Sequence, residues 1–441
     1  MIRKLIDAAL GKPHGVDPSR PRIIPAKRHG IHREDISAAA LWVTEQLQQA
    51  GFSAFIVGGA LRDLIVGIPP KDFDVATDAT PEQVHALFRR SRIIGRRFQI
   101  VHVMKGDIIE VSTFRRAVPE QTGEIAADER GRIISDNAFG TQPQDAVRRD
   151  FTINALYYDP CTEMILDYVG GVEDIERRLL RVIGDPQVRF REDPVRMLRA
   201  VRLSAKLDFQ IETITRSPIA SMAHLLNHVP AARVFDEMLK LLLSGHAREG
   251  ITRLRSEGLH HGILPMLDMV LEQPLGQKFV DLALINTDIR IREGKSVSPG
   301  FLFATLFWHD VLSAWNELQA RGEQSMPALF QAMDEVMDNM AEKLAIPRRF
   351  GTGMKEIWGL QPRFENRSGN KPSRLLAHPR FRAGYDFLLL RCQSGEVDAE
   401  LGRWWESFQS ASEHDRKLML LHAGPARRRK RRRSPSAGQG K

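Results

Sequence analysis

Apolar residues recur along this chain with two different periods, and the change of period divides it. Between about residues 35 and 175, short apolar runs of strand length alternate with helical stripes. "DISAAALWVTEQLQQAG" carries Ala39, Leu41, Val43 and Leu47 before a stop at Gly51, which predicts a helix. "FSAFIVGG" predicts a strand ending in a turn at Gly58 and Gly59, and "ALRDLIVG" a short helix ended by Gly67. "KDFDVAT" predicts a second strand. "TPEQVHALFRRS" predicts a helix capped by Thr80 with Pro81 at its first position. "IIGRRFQIVHVMKGDIIEVSTFR" alternates as a hairpin turning at Lys105-Gly106-Asp107.

This interleaving predicts an α/β head with a small mixed sheet. After about residue 192 the strand signals fade. Helical periodicity then runs through "EDPVRMLRAVRLSAKL", "ARVFDEMLKLLLSG" and "PGFLFATLFWHDVLSAW". The expected organisation is a flexible, Pro-rich basic segment over 1–34, a head over 35–175, an all-α neck over 176–245, an all-α body over 246–420 and a tail over 421–441. There is no internal repeat.

A length of 441 residues exceeds one ordinary core and fits about two to four domains. A composition 42% hydrophobic and 27% charged is that of a globular protein. No apolar run approaches a membrane span, and the N-terminal stretch, broken by Asp7, does not read as a secretory signal. Cys161 and Cys392 stand far apart, form neither a disulfide framework nor a metal-ligand spacing, and suit a reducing cytoplasm as inert thiols. The net charge of +9 is concentrated in Arg427, Arg428, Arg429, Lys430, Arg431, Arg432 and Arg433. Like charges repel and nothing apolar offsets the cost of ordering, so the run reads as a disordered tail that condenses on a polyanion, RNA or DNA before an anionic membrane. The plainer alternative is a solubility tail.

The chemistry concentrates around two aspartates separated by one residue. Side chains i and i+2 of a strand face the same way, so Asp72 and Asp74 project together. Their repulsion is relieved by a cation, and Glu110 on a later strand can reach the same face. Three carboxylates on adjacent strands suit a two-metal phosphoryl-transfer site, with magnesium the default for oxygen ligands and phosphates. Upstream, Gly58 and Gly59 permit close backbone approach where a strand hands over to a helix N-terminus, which favours an anion, and Arg62 lies one turn on. The glycines alone would equally make an ordinary strand-to-helix turn. No Gly-Lys-Ser/Thr of a P-loop follows.

"GGALRD", "DFD", "IIEVSTFR", "DAVRRDFTINALYYD" and "REDPVRMLRAVR" occur in this order. With them the sequence resembles the bacterial polymerase-β-type nucleotidyltransferases, the family of CCA-adding enzymes and poly(A) polymerases. The resemblance is motif-specific from about residue 31 to 245 and looser beyond. It implies that Asp72 and Asp74 hold two magnesium ions, that Glu110 is the third carboxylate, and that Gly58, Gly59 and Arg62 cradle a triphosphate. It implies that helices of the neck over 176–245 and the body over 246–420 bind RNA, that Arg149, Asp150 and Asn154 contact the nucleotide sugar and phosphates, and that Asp193 and Arg196 in the neck read the base. As i and i+3 on one helix face, those two would present an acceptor and a donor to one base edge. Without the resemblance they would read as a helix-surface ion pair. Arg199 and Arg202 continue that face as phosphate contacts or solvated charge, and Arg233 with Glu237, at i and i+4, would brace the neck.

Within the family, "GRRFQIVHV", "NALYYDP", "HPRFRAGYDFLLLR" and the basic tail resemble the poly(A) branch. That implies addition of AMP from ATP to RNA 3′ ends, tagging RNA for decay, with RNA-degradation proteins as partners. CCA addition to tRNA is the alternative within the family. An RNA-binding protein on an inactive scaffold is the alternative of another class, and the complete carboxylate set argues against it. His309-Asp310 resembles part of a phosphohydrolase motif but lacks its companions, and reads as a hydrogen-bonded core histidine.

Overall fold

A computed structural model describes residues 19–95, 99–116, 126–127, 133–135, 138–260, 274–341 and 346–420. Contacts divide the chain into one unit of residues 1–238 with 249–262, and a second of 239–248 with 263–441. The basic run 427–433 and Arg96, Arg97 and Phe98 of "GRRF" lie outside the described residues.

The first unit is built on eight strands: β1 (Arg22–Ile24), β2 (Ala54–Val57), β3 (Asp74–Thr77), β4 (Ser91–Ile94), β5 (Ile100–Lys105), β6 (Asp107–Thr113), β9 (Leu156–Asp159) and β10 (Met164–Asp167). Their order across the sheet is β1-β10-β9-β2-β3-β6-β5-β4. Neighbours run antiparallel except β3 and β6, which are parallel and make the sheet mixed. Two short pairs stand apart from it: β7 (Ala126–Ala127) with β8 (Ile133–Ser135), and β11 (Leu179–Leu180) with β12 (Gln210–Ile211). The apolar runs explain the centre. β2 is flanked by β3 and β9, and Ile56, Val57, Val75 and Ala76 are buried there. The hairpin turns where expected, with Lys105 opposite Asp107 across Gly106.

The helix Ala38–Gln49 packs on β2, β3 and β6. Its buried face is Ala39, Ala40, Val43, Thr44 and Leu47. Leu41, expected in that stripe, lies about 200° around the helix from Ala39 and is half-buried. Thr44 takes its place by returning its hydroxyl proton to the Ala40 carbonyl at 2.8 Å. Pro81–Leu87 is the expected helix, and Thr80 caps it by accepting from Gln83 N–H. Residues 22–24, expected to lack regular structure, form the edge strand β1 against β10. Three residues are too few to display a period.

The described part of the second unit is helical. Its principal helices are Pro274–Arg292, Pro299–Leu306, Trp308–Ala320, Ser325–Ala341, Arg348–Phe364, Phe381–Ser394 and Ala399–Ser410. Phe364, Phe381, Tyr385, Leu388, Trp405 and Phe408 share one core. Trp405 seats its indole N–H on the Phe364 carbonyl at 2.9 Å. His309 differs from expectation, because neither ring nitrogen has a hydrogen bond. Instead its ring meets Phe279 edge-on, with centroids 5.2 Å apart, and burial lowers its pKa. Asp310 beside it is pushed up to about 7 by burial.

Candidate active site

Asp74 opens β3 rather than standing in its middle. Asp72 therefore lies before the ladder, and strand alternation does not aim it. It stays close enough for its charge to act on Asp74. Asp74's carboxyl is pushed up to about 6, first by burial, then by Glu110 and then by Asp72, with Arg149 opposing. The expected three carboxylates thus share one locale. Glu110 is the register partner of Asp74 across the parallel β3–β6 pair.

On its other side Glu110 faces His102, its register partner on β5, with Nε2 3.3 Å from Oε1 but without hydrogen-bond alignment. His102 was legible only through the hairpin: a turn centred on Gly106 sets residue 102 opposite 110. Among the described residues no three His, Cys, Asp or Glu side chains form a closed ligand set. Still, the donor set fits a divalent ion. The three carboxylates offer hard oxygen donors, and a buried carboxylate resisting ionisation beside two others is the field a cation relieves.

Gly58 brings the phosphate-side residues to this edge. Its φ of +80° is unfavourable for a side chain, and a Cβ there would lie 3.6 Å from Arg149 Nη1 and 4.0 Å from Asp74 Oδ2. Gly59 begins the helix Gly59–Ile65, and Arg62 is buried within it. Arg62 donates from Nη1 to Asn154 Oδ1 at 2.6 Å and from Nε and Nη2 to Asp63 Oδ1. Lys206 donates to the other Asp63 oxygen at 2.7 Å. Arg62 is therefore clamped rather than swinging free.

The "RRDFTIN" residues continue the same network. Arg149 donates to Asp145 Oδ2 at 3.0 and 3.1 Å and to the Tyr157 hydroxyl at 3.1 Å. Tyr157 in turn donates to Asp145 at 2.7 Å. Burial would raise Asp145, but Arg149 and Arg148 outweigh it and hold the carboxyl down at about 2. Asp150 accepts from Asn154 at 3.0 Å and from Arg199 at 2.5 and 2.8 Å. Burial again opposes, and the Arg199 charge wins, leaving Asp150 at about 2. Sequence reading missed Asp145 and Tyr157, although Asp145 sits four residues before Arg149, one helical turn.

Asp193 and Arg196 do not share a helix face as expected. The helix Pro186–Glu192 ends before Asp193, which is extended at φ −149°, and a new helix, Val195–Leu207, begins after Pro194. A residue before proline is driven from helical to extended backbone, and that splits the "REDPVR" motif. The two do not form the surface ion pair either. Asp193 accepts from Arg233 at 2.9 Å, and Arg196 donates to Glu192 at 2.9 Å and to the Arg189 carbonyl at 2.7 Å. The expected Arg233–Glu237 brace dissolves in the same way. Glu237 is buried and accepts from Arg202 at 2.9 Å and Arg199 at 3.4 Å.

The mixed sheet that carries Asp74 and the Gly58 turn has the fold of a nucleotidyltransferase head, the class its solved-structure and family-model matches share. Comparison with known proteins narrows the class. Family models for the "Poly A polymerase head domain", the "Probable RNA and SrmB- binding site of polymerase A" and the "Polymerase A arginine-rich C-terminus" match residues 54–181, 208–271 and 321–437. Poly(A) polymerase I of Salmonella typhi is 43% identical over 97% of this chain and 93% of its own length. The CCA-adding enzyme of Geobacillus thermodenitrificans is 40% identical over only 50% of this chain and 53% of its own. Among solved structures, the Bacillus stearothermophilus CCA-adding enzyme in complex with CTP matches at a TM-score of 0.54, with 29% identity over 83% of this chain and 80% of its own. The chain belongs to the poly(A) polymerase I family, and it is a polynucleotide adenylyltransferase.

Proposed function

We propose that the chain extends RNA 3′ ends with AMP from ATP without a template, in the cytoplasm, and that the tails mark RNA for the degradation machinery. The observation that carries the site reading is the register of Asp74 with Glu110 beside Gly58, where burial, Glu110 and Asp72 in that order raise the Asp74 carboxyl. Asp72 and Asp74 would hold two magnesium ions, with Glu110 as the third carboxylate. Those ions would lower the pKa of the RNA 3′-hydroxyl and neutralise triphosphate charge.

The remaining work falls to the chain's own groups. Gly58 leaves room for phosphate oxygens against the backbone and beside the Arg149 guanidinium. Arg62, fixed by Asp63 and Asn154, presents positive charge one turn into the helix. Asp150, charged and held by Arg199, ties that phosphate side to the helix Val195–Leu207. Asp193 and Arg196, each anchored by its own partner, stand ready for a base edge. Positioning and electrostatics are then the protein's whole contribution to in-line attack on the α-phosphate, with pyrophosphate leaving. The Arg427–Arg433 run would hold the RNA backbone.

Incubation with ATP alone and an unstructured RNA primer tests the reading, and long, heterogeneous A-tails are expected. No extension of that primer, with C, C and A added to a trimmed tRNA, would move the function to tRNA repair and leave the site reading standing.

A further inference from the structure

The second unit carries two adjoining cavities of about 510 and 640 Å³ that share Arg363 and His378. Three elements line them. The helix Arg348–Phe364 contributes Arg348, Lys355 and Arg363 at roughly helical spacing, so a cationic stripe runs along one face. Lys371 and Arg374 come from the helix Lys371–Leu376 and are exposed. Phe330 comes from the helix Ser325–Ala341 and is 50% exposed, which is unusual for a phenylalanine.

The charge is not internally balanced. Lys355 is paired with Asp334, and the lining Glu356 with Arg380. Arg348, Arg363, Lys371 and Arg374 have no ion-pair partner among the described residues, and Glu365 is the remaining acid in the lining. A cleft with an exposed aromatic ring and unneutralised cations is built for a flexible polyanion with flat apolar faces.

We propose that this cleft binds single-stranded RNA upstream of the growing 3′ end, with a base stacked on Phe330 and phosphates held by Arg363, Lys371 and Arg374. Stacking on an aromatic ring tolerates any base, and backbone cations read no sequence, so the subsite accepts any transcript. The proposal uses the adenylyltransferase reading only in taking RNA as the polyanion.

The full chain is tested with a labelled, unstructured RNA by fluorescence anisotropy across a salt series. Phe330→Ala is expected to weaken binding about tenfold. The Lys371→Glu/Arg374→Glu variant is expected to lose about 1.4 from the log–log salt slope, two single-strand phosphate contacts. In both, single AMP addition to a very short primer and KM for ATP are expected to stay at wild-type values. All three positions are exposed, and matching melting curves confirm folding.

A Lys278→Glu/Lys295→Glu variant makes the same charge change at exposed positions that do not line the cleft, and its salt slope is expected to stay wild-type. Unchanged affinity and slope in the cleft variants, or an equal loss in that control, overturns the subsite. So does a cleft that prefers polyglutamate to RNA. Absence of AMP addition by the wild-type chain would instead count against the adenylyltransferase reading.

Discussion

Asp74 on β3 and Glu110 on β6 are register partners across a parallel pair, so their side chains leave the sheet on the same face. Burial and this neighbour together leave Asp74 at about 6. The chain holds a carboxylate where its charge is disfavoured, and that arrangement makes thermodynamic sense if a cation joins it.

Asp74→Asn is therefore expected to abolish AMP addition and yet stabilise the ion-free protein. The folded pKa of about 6 exceeds the ordinary 3.8, so the folded state binds more protons between those values. Stability then falls as pH rises through that window, and the penalty at neutral pH is about 1–3 kcal/mol. Melting curves in chelator should show the variant melting higher at pH 7 and level with wild type below pH 4. Magnesium should raise the wild-type midpoint only.

Asp145 works in the opposite direction. Its pKa of about 2, held down by Arg149 and Arg148, gives stability that is present above the ordinary 3.8 and lost as pH falls toward 2. Removing one partner of such a buried pair costs about 3–5 kcal/mol. The stability deficit of Asp145→Asn, measured by urea unfolding, should shrink as pH is lowered through that range. Tyr157→Phe removes the hydroxyl that donates to Asp145 and accepts from Arg149, and should cost about 1–3 kcal/mol while raising KM for ATP.

Glu237 and Arg233 provide a direct contest between sequence spacing and tertiary placement. Glu237→Ala leaves Arg199 and Arg202 without their shared carboxylate and is expected to cost about 3–5 kcal/mol. Arg233→Ala breaks a half-exposed pair with Asp193 and should cost no more than about 1 kcal/mol. A double-mutant cycle should return near-zero coupling for Arg233 with Glu237 and clear coupling for Arg202 with Glu237. Strong Arg233–Glu237 coupling would contradict the structure.

Arg196→Ala should relax the choice of ATP over CTP by about 1–3 kcal/mol, the size of a lost bidentate base contact. Ratios of kcat/KM for the two nucleotides measure it. An equal loss for both, with selectivity intact, would make Arg196 a scaffold residue acting through Glu192 and the Arg189 carbonyl.

The sequence by itself determined the elements whose signal is local. The Gly58-Gly59 turn, the capped helix after Thr80 and the hairpin about Gly106 follow from φ preferences, capping and alternation within a few residues. The family resemblance carried by the motifs anticipated that Asp74, Glu110 and Arg149 lie close together, as they do about Gly58. Tertiary structure alone decided partners. Asp193 and Arg196, Arg233 and Glu237, and Leu41 on its helix were each assigned by spacing, and each went elsewhere. Spacing fixes which residues share a helix face only while the helix continues, and Pro194 interrupts it. Even on an unbroken helix, a charged side chain takes the partner that tertiary packing brings against it, as Arg233 takes Asp193 rather than Glu237. That partner can be 35 to 49 residues away, as Glu237 is from Arg202 and Asp150 is from Arg199. No periodicity in the chain records such a distance.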